Sequence, residues 1–113
     1  FLPKIVGLRR AEELMLTNRQ LSAEEALDWG IVNQLTDETE LLEKALKTAK
    51  RIAKGPTKAF GNVRRLLVSG FNAELAVQLD REGESIVDMT QTDDGKEGIA
   101  AFLEKRQPVF KGQ

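Results

Sequence analysis

The chain has 113 residues, 41% hydrophobic and 31% charged, with 17 Lys and Arg against 18 Asp and Glu. That is the composition of a globular protein with a core of its own, burying roughly two thirds of its unfolded surface. Its net charge of −1 argues against a dedicated nucleic-acid binder, whose pI is usually above about 9. There is no Cys, His or Tyr. Disulfides, thiolate chemistry and the commonest general base and metal ligand are therefore excluded, which leaves catalysis to Asp, Glu, Lys, Ser or Thr. No apolar run approaches the roughly 20 residues that span a bilayer. No secretory signal pattern opens the chain, so a cytoplasmic location is expected, or the mitochondrial matrix in a eukaryote.

In chain order, Leu8, Ala11, Leu14 and Met15 stand three and four apart and predict a short helix over 8–16. Ser22 and Glu25 form a capping box that opens a helix over 23–29, closed by Gly30 in the left-handed conformation. Residues 31–35, with the β-branched pair Ile31 and Val32, are the one candidate strand. Asp37 and Glu40 make a second capping box and start a helix over 38–54, about 25 Å long. Its apolar stripe is Leu41, Ala45, Leu46, Ala49, Ile52 and Ala53, and Gly55-Pro56 stops it.

Pro56 suits the first turn of the next helix, in which Ala59, Phe60, Val63, Leu66 and Leu67 face one way as far as Gly70. Asn72 is the expected cap of a further helix carrying Leu75, Ala76, Leu79, Ile86 and Val87 on one side. Gly83 falls on that side too, which implies a close helix approach or a bend. Asp94 and Glu97 make a third capping box for a last helix over 95–105, with Ile99, Phe102 and Leu103 inward. The expectation is a mostly α domain of five or six helices with at most one short strand.

Charge is unevenly placed. Residues 44–65 hold eight basic side chains and no acidic one, whereas 71–94 hold seven acidic side chains against Arg81. The basic stretch is either an anion site for phosphate or nucleic acid or a solvated helix face whose charges follow the helix dipole. Only Phe60 could stack a base there. The acidic pairs Glu12-Glu13, Glu24-Glu25 and Asp93-Asp94 are adjacent in sequence, so on a helix their side chains diverge by about 100° and share no site. Asp93-Asp94-Gly95 lacks the oxygen spacing of a calcium loop. Neither a phosphate loop nor a nucleophile elbow is present. No catalytic residue and no metal ligand is expected within the chain.

Three stretches in register resemble the C-terminal portion of the enoyl-CoA hydratase/isomerase (crotonase) superfamily. They are 2–17 (Leu2-Pro3-Lys4-Ile5-Val6-Gly7 leading into Ala11 to Thr17), 21–33 (Leu21-Ser22-Ala23 through Trp29-Gly30-Ile31-Val32-Asn33) and 97–110 (Glu97-Gly98-Ile99 through Phe102-Leu103-Glu104-Lys105-Arg106 to Pro108-Val109-Phe110). The Gly55-Pro56 break lies between the last two, and the resemblance covers essentially the whole chain. Asn18 stands where the family commonly has Gly, and Asn tolerates the left-handed conformation.

The resemblance implies acyl-CoA or enoyl-CoA substrates, with hydratase or isomerase chemistry of the lyase and isomerase classes and a place in fatty-acid β-oxidation or aromatic-acid degradation. It implies a thioester enolate held by two backbone N–H groups and proton transfers by carboxylates, all belonging to a spiral β-α core that precedes the position of Phe1. No cofactor is implied beyond coenzyme A as part of the substrate. Residues 1–35 would be the end of the spiral domain. Residues 36–113 would be the helical domain that covers the active site and builds homotrimers, or dimers of trimers. By position, Phe102 and Lys105 would meet the adenosine end of CoA, while Trp29 and Ile86 would be acyl-pocket candidates. Core packing is the alternative for Phe102 and an exposed end-of-helix charge the alternative for Lys105, while the place of Trp29 before Gly30 favours packing over a substrate contact. The competing readings are a free-standing helical interaction module and phosphate or nucleic-acid binding through 44–65.

Overall fold

The computed structural model describes all 113 residues as seven helices without a strand. They are α1 (Leu2–Val6), α2 (Leu8–Thr17), α3 (Ala23–Asp28), α4 (Glu38–Ala53), α5 (Thr57–Gly70), α6 (Leu75–Gln91) and α7 (Asp93–Leu103). The extra helix relative to the five or six expected is α1, a single turn with Pro3 near its start. The chain divides into two compact units, Phe1–Glu43 and Lys44–Gln113, so α4 begins in one and ends in the other.

In the first unit α1 and α2 pack together around Val6 and Ala11, with Gly7 at φ +82° turning the chain between them. Asn18 closes α2 in the left-handed conformation at φ +50°, as the sequence suggests. The capping box of α3 is present in full: Ser22 Oγ accepts from the Glu25 N–H at 3.0 Å, and Glu25 Oε2 accepts from the Ser22 N–H at 3.2 Å. The helix ends with Gly30 at φ +73°. There the Gly30 N–H donates to the Leu27 carbonyl and the Ile31 N–H to the Ala26 carbonyl, the paired bonds of a Schellman ending. Val32 also donates to Ala26. The expected strand over 31–35 is therefore absent, because its first two amides are consumed by the end of α3 rather than offered to a ladder.

In the second unit α6 packs against α5 on one side and α7 on the other. Buried Asn62 on α5 donates to Ser85 Oγ on α6 at 2.7 Å, and Gln78 Nε2 on α6 donates to the Leu66 carbonyl at 3.3 Å. The α6–α7 corner turns on Thr92. Its hydroxyl donates to the Met89 carbonyl at 2.7 Å and accepts from the Gly95 N–H at 3.0 Å, so one side chain closes α6 and caps α7. This corrects the capping box expected from Asp94 and Glu97, and α7 starts at Asp93. The N-cap of α6 is likewise Glu74 rather than Asn72. No helix approaches Gly83, where an added Cβ would meet nothing within 4 Å. Gly95 is the close approach instead: a Cβ there would run into the Met89 carbonyl oxygen.

The expected self-sufficient core does not form. Val6, Ala11 and Ala101 are the buried apolar residues, and the accessible surface is 9384 Å². A monomer of 12.6 kDa would ordinarily expose about 6,200 Å². Leu41, Leu46 and Ile52 of α4, Leu67 of α5 and Leu79 and Ile86 of α6 are all exposed. Ile99, Phe102 and Leu103 are exposed as well, correcting their expected inward placement. The helical period is real, but the apolar stripe it makes finds no cover within this chain.

Gly95→Ala is expected to destabilise the protein by about 2 kcal/mol or more, since backbone must move. Gly83→Ala, in an open helix interior, should stabilise it by about 0.5–1 kcal/mol. Equilibrium unfolding of the two variants checks both; equal effects would contradict the packing described.

Candidate functional site

The residues singled out by sequence do not form one cluster. Phe102 and Lys105 stand together at the C-terminal end of α7, Ile86 lies on α6 in the same unit, and Trp29 belongs to the other unit.

The α7 end is built by the tail that follows it. Lys105 takes φ +55°, its N–H donates to the Phe102 carbonyl, and the Arg106 N–H donates to the Ala101 carbonyl. These are again the two bonds of a Schellman ending, here with a lysine where glycine is usual. A side chain in that conformation is sterically disfavoured and persists only where neighbours impose it. Arg106 supplies the constraint. Its Nη1 and Nη2 donate to Glu97 Oε1 and Oε2 at 2.6 and 2.9 Å, and its Nε donates to Glu104 Oε2 at 2.6 Å.

The tail then runs back beside α7. The Val109 N–H donates to Glu97 Oε1 at 2.8 Å, and Asp94, only 4% exposed, accepts from the Lys111 and Gly112 N–H groups at 2.7 and 2.8 Å. Asp94 in turn donates its own N–H to the Gln113 carbonyl. Glu97 and Asp94, read from sequence as a capping pair, thus hold the tail instead. No local spacing announces this, because the partners are nine to eighteen residues away.

Beside this corner is an apolar cavity of about 380 Å³, whose lining includes Phe102, Leu103, Phe110, Ile99, Gly98 and Lys58. The Phe102 side chain is 82% exposed and the Lys105 ammonium makes no hydrogen bond or ion pair within the chain. An open aromatic face and an unengaged cation therefore sit three residues apart, able to pack a planar ring and meet an anion. Ile86 lines a separate groove of about 490 Å³ between α5, α6 and α7, with Val63, Leu66 and Met89.

Trp29 is half-buried and lies beneath two guanidinium groups, Arg10 at 4.7 Å and Arg19 at 5.3 Å from the ring centroid. Arg19 is held by Glu25 through both terminal nitrogens at 3.1 Å and by Glu13 at 2.6 Å. Those bonds raise the Arg19 pKa and help lower that of Glu25, to which the Ser22 N–H also donates. The cap of α3 and the stacking over Trp29 are therefore one network. Elsewhere, the basic side chains of 44–65 are all exposed. No group of three or more side chains is arranged to hold a metal, and no helix is long and apolar enough to cross a membrane.

All 113 residues match the family described as Enoyl-CoA hydratase/isomerase. The chain belongs to that family. It is 37% identical over 112 residues to the 1,2-epoxyphenylacetyl-CoA isomerase of Escherichia coli K12, covering 99% of this chain and 43% of that protein. Against the carnitinyl-CoA dehydratase of Salmonella typhi, identity is 34% over 116 residues, covering 99% and 44%. The crystal structure of an enoyl-CoA hydratase from Bacillus anthracis matches with a TM-score of 0.88 at 35% identity, covering 99% of this chain and 43% of that one. The chain thus has the helical fold of the matched part of crotonase-type enzymes and spans less than half the length of these relatives.

The bonds that Glu97 accepts from Arg106 and Val109 carry a pH signature. Hydrogen bonds from Arg106, then from the Val109 N–H, hold the Glu97 carboxyl at about 2, below its ordinary 4.5. Since the folded value lies below the unfolded one, the stabilisation is complete at neutral pH and lost as pH falls from about 4.5 to about 2. The Val109 amide should therefore keep its hydrogen-exchange protection down to the top of that window and lose it across it. Loss well above the window would contradict the assignment.

Proposed function

We propose that the chain is the C-terminal portion of an acyl-CoA enzyme, an enoyl-CoA hydratase or isomerase acting on a CoA thioester in the cytoplasm or mitochondrial matrix. The observation that carries this reading is the uncovered apolar face of nearly every helix in a chain that matches the family end to end yet spans 43% of one relative. Amphipathic helices without cover belong against further protein. Residues 1–35 complete the spiral core domain. Residues 36–113 cover the active site and assemble subunits into trimers or dimers of trimers. The named relatives differ in reaction and share a CoA thioester in their names.

Chemistry on such a thioester passes through an enolate whose oxygen is stabilised by two preorganised backbone N–H donors, while carboxylates move the protons. Those groups lie upstream of Phe1 in this reading. The present chain contributes recognition at the far end of the substrate, with Phe102 packing on the adenine ring and the Lys105 ammonium meeting a CoA phosphate. Ile86 would contribute apolar surface near the acyl group.

Three measurements test this. The natural protein should have an intact mass at least twice 12.6 kDa, with Phe1 internal. Residues 1–113 alone should not turn over crotonyl-CoA; measurable turnover would place catalytic groups inside the chain and sink the reading. In the full-length enzyme, Phe102→Ala and Lys105→Ala should each raise KM for crotonyl-CoA by about tenfold with kcat nearly unchanged, the pattern of lost uniform binding.

A further inference from the structure

We infer that the Glu97–Arg106 pair is the positioning element that holds Phe102 and Lys105 in the arrangement that receives the nucleotide end of CoA. The inference rests on the reading of Phe102 and Lys105 given above and adds two residues to it, neither of which touches substrate.

Lys105 is the strained position at this corner. Its φ of +55° is unfavourable for any residue with a Cβ, so the backbone there must be imposed from outside. The bonds that impose it converge on the next residue. Arg106 gives its N–H to Ala101, its Nε to Glu104, and both Nη groups to Glu97. Residues 104 and 106 are thus tied down on either side of Lys105, whose own ammonium stays unengaged. Glu97 is two turns back on α7 and is itself fixed by the Val109 N–H, so the guanidinium is anchored to the helix axis and to the returning tail at once.

A two-bonded guanidinium–carboxylate pair fixes orientation in a way that a point contact cannot. Solvent screening discounts the stabilisation that the pair supplies, since the Arg106 and Glu97 side chains are 41% and 25% exposed, whereas the orientation it fixes is not screened. Its effect is geometric. Without it residue 105 relaxes out of the left-handed conformation, and the course of the chain between Phe102 and the Lys105 side chain changes.

The test compares two substrates of the full-length enzyme: crotonyl-CoA, and the crotonyl thioester of pantetheine, which lacks the phosphoadenosine end. Arg106→Ala and the isosteric Glu97→Gln should each lower the ratio of kcat/KM for the CoA thioester to that for the pantetheine thioester by roughly three- to tenfold. Arg106→Lys, which keeps charge but not the paired bonds, should restore only part of the ratio. A parallel fall with both substrates, or an unchanged ratio in Glu97→Gln, would overturn the inference and leave a merely structural pair. If Phe102→Ala and Lys105→Ala also leave the ratio unchanged, the failure lies in the reading of the corner itself. If they lower it and the Glu97 and Arg106 variants do not, the positioning role alone fails.

Discussion

Hydrogen bonds at helix ends and between helices carry the local order of this chain, because apolar burial cannot. The buried apolar set is one valine and two alanines, far short of what offsets the conformational entropy of ordering a hundred residues. The joints between helices are therefore polar and few. Thr92 turns α6 into α7 with a single hydroxyl, Asn62 ties α5 to α6, and Ser22 with Glu25 starts α3. Each satisfies backbone or side-chain groups that would otherwise be left without partners.

The same economy explains how one feature serves two ends. Glu25 caps α3 and grips Arg19, which lies over Trp29. Glu97 binds Arg106 and also receives the tail amide of Val109. In both places a carboxylate couples the end of a helix to a guanidinium, so orientation is passed from backbone to side chain without a packed core. At the α7 end this leaves the Phe102 ring and the Lys105 side chain exposed beside a hydrogen-bonded corner.

The helices were legible because their signals are local. Apolar spacing of three and four placed α2, α4, α5, α6 and α7, and Ser22, Glu25, Gly30 and Asn18 marked ends that the structure reproduces. The misreadings share a cause. Asp94 and Glu97 have the spacing of a capping box, yet Thr92 stands two residues before Asp94 and takes the cap, freeing both carboxylates for the tail. Ile31 and Val32 favour a strand by type, but their amides are already bound to Ala26. Gly83 lies on the apolar side of α6 and meets nothing, whereas Gly95, on a less obvious face, touches backbone.

Residue types and short spacings suffice for a mostly helical chain, for the course of most of its helices, and for the absence of Cys and His side chains. These depend on residue type and on spacings of a few positions, which chain connectivity fixes. Which acidic residue meets which amide or guanidinium, and the left-handed turn at Lys105, emerge only in three dimensions. Those outcomes depend on how the tail folds back onto α7, and contacts separated by nine to eighteen residues leave no periodic trace in the order of amino acids.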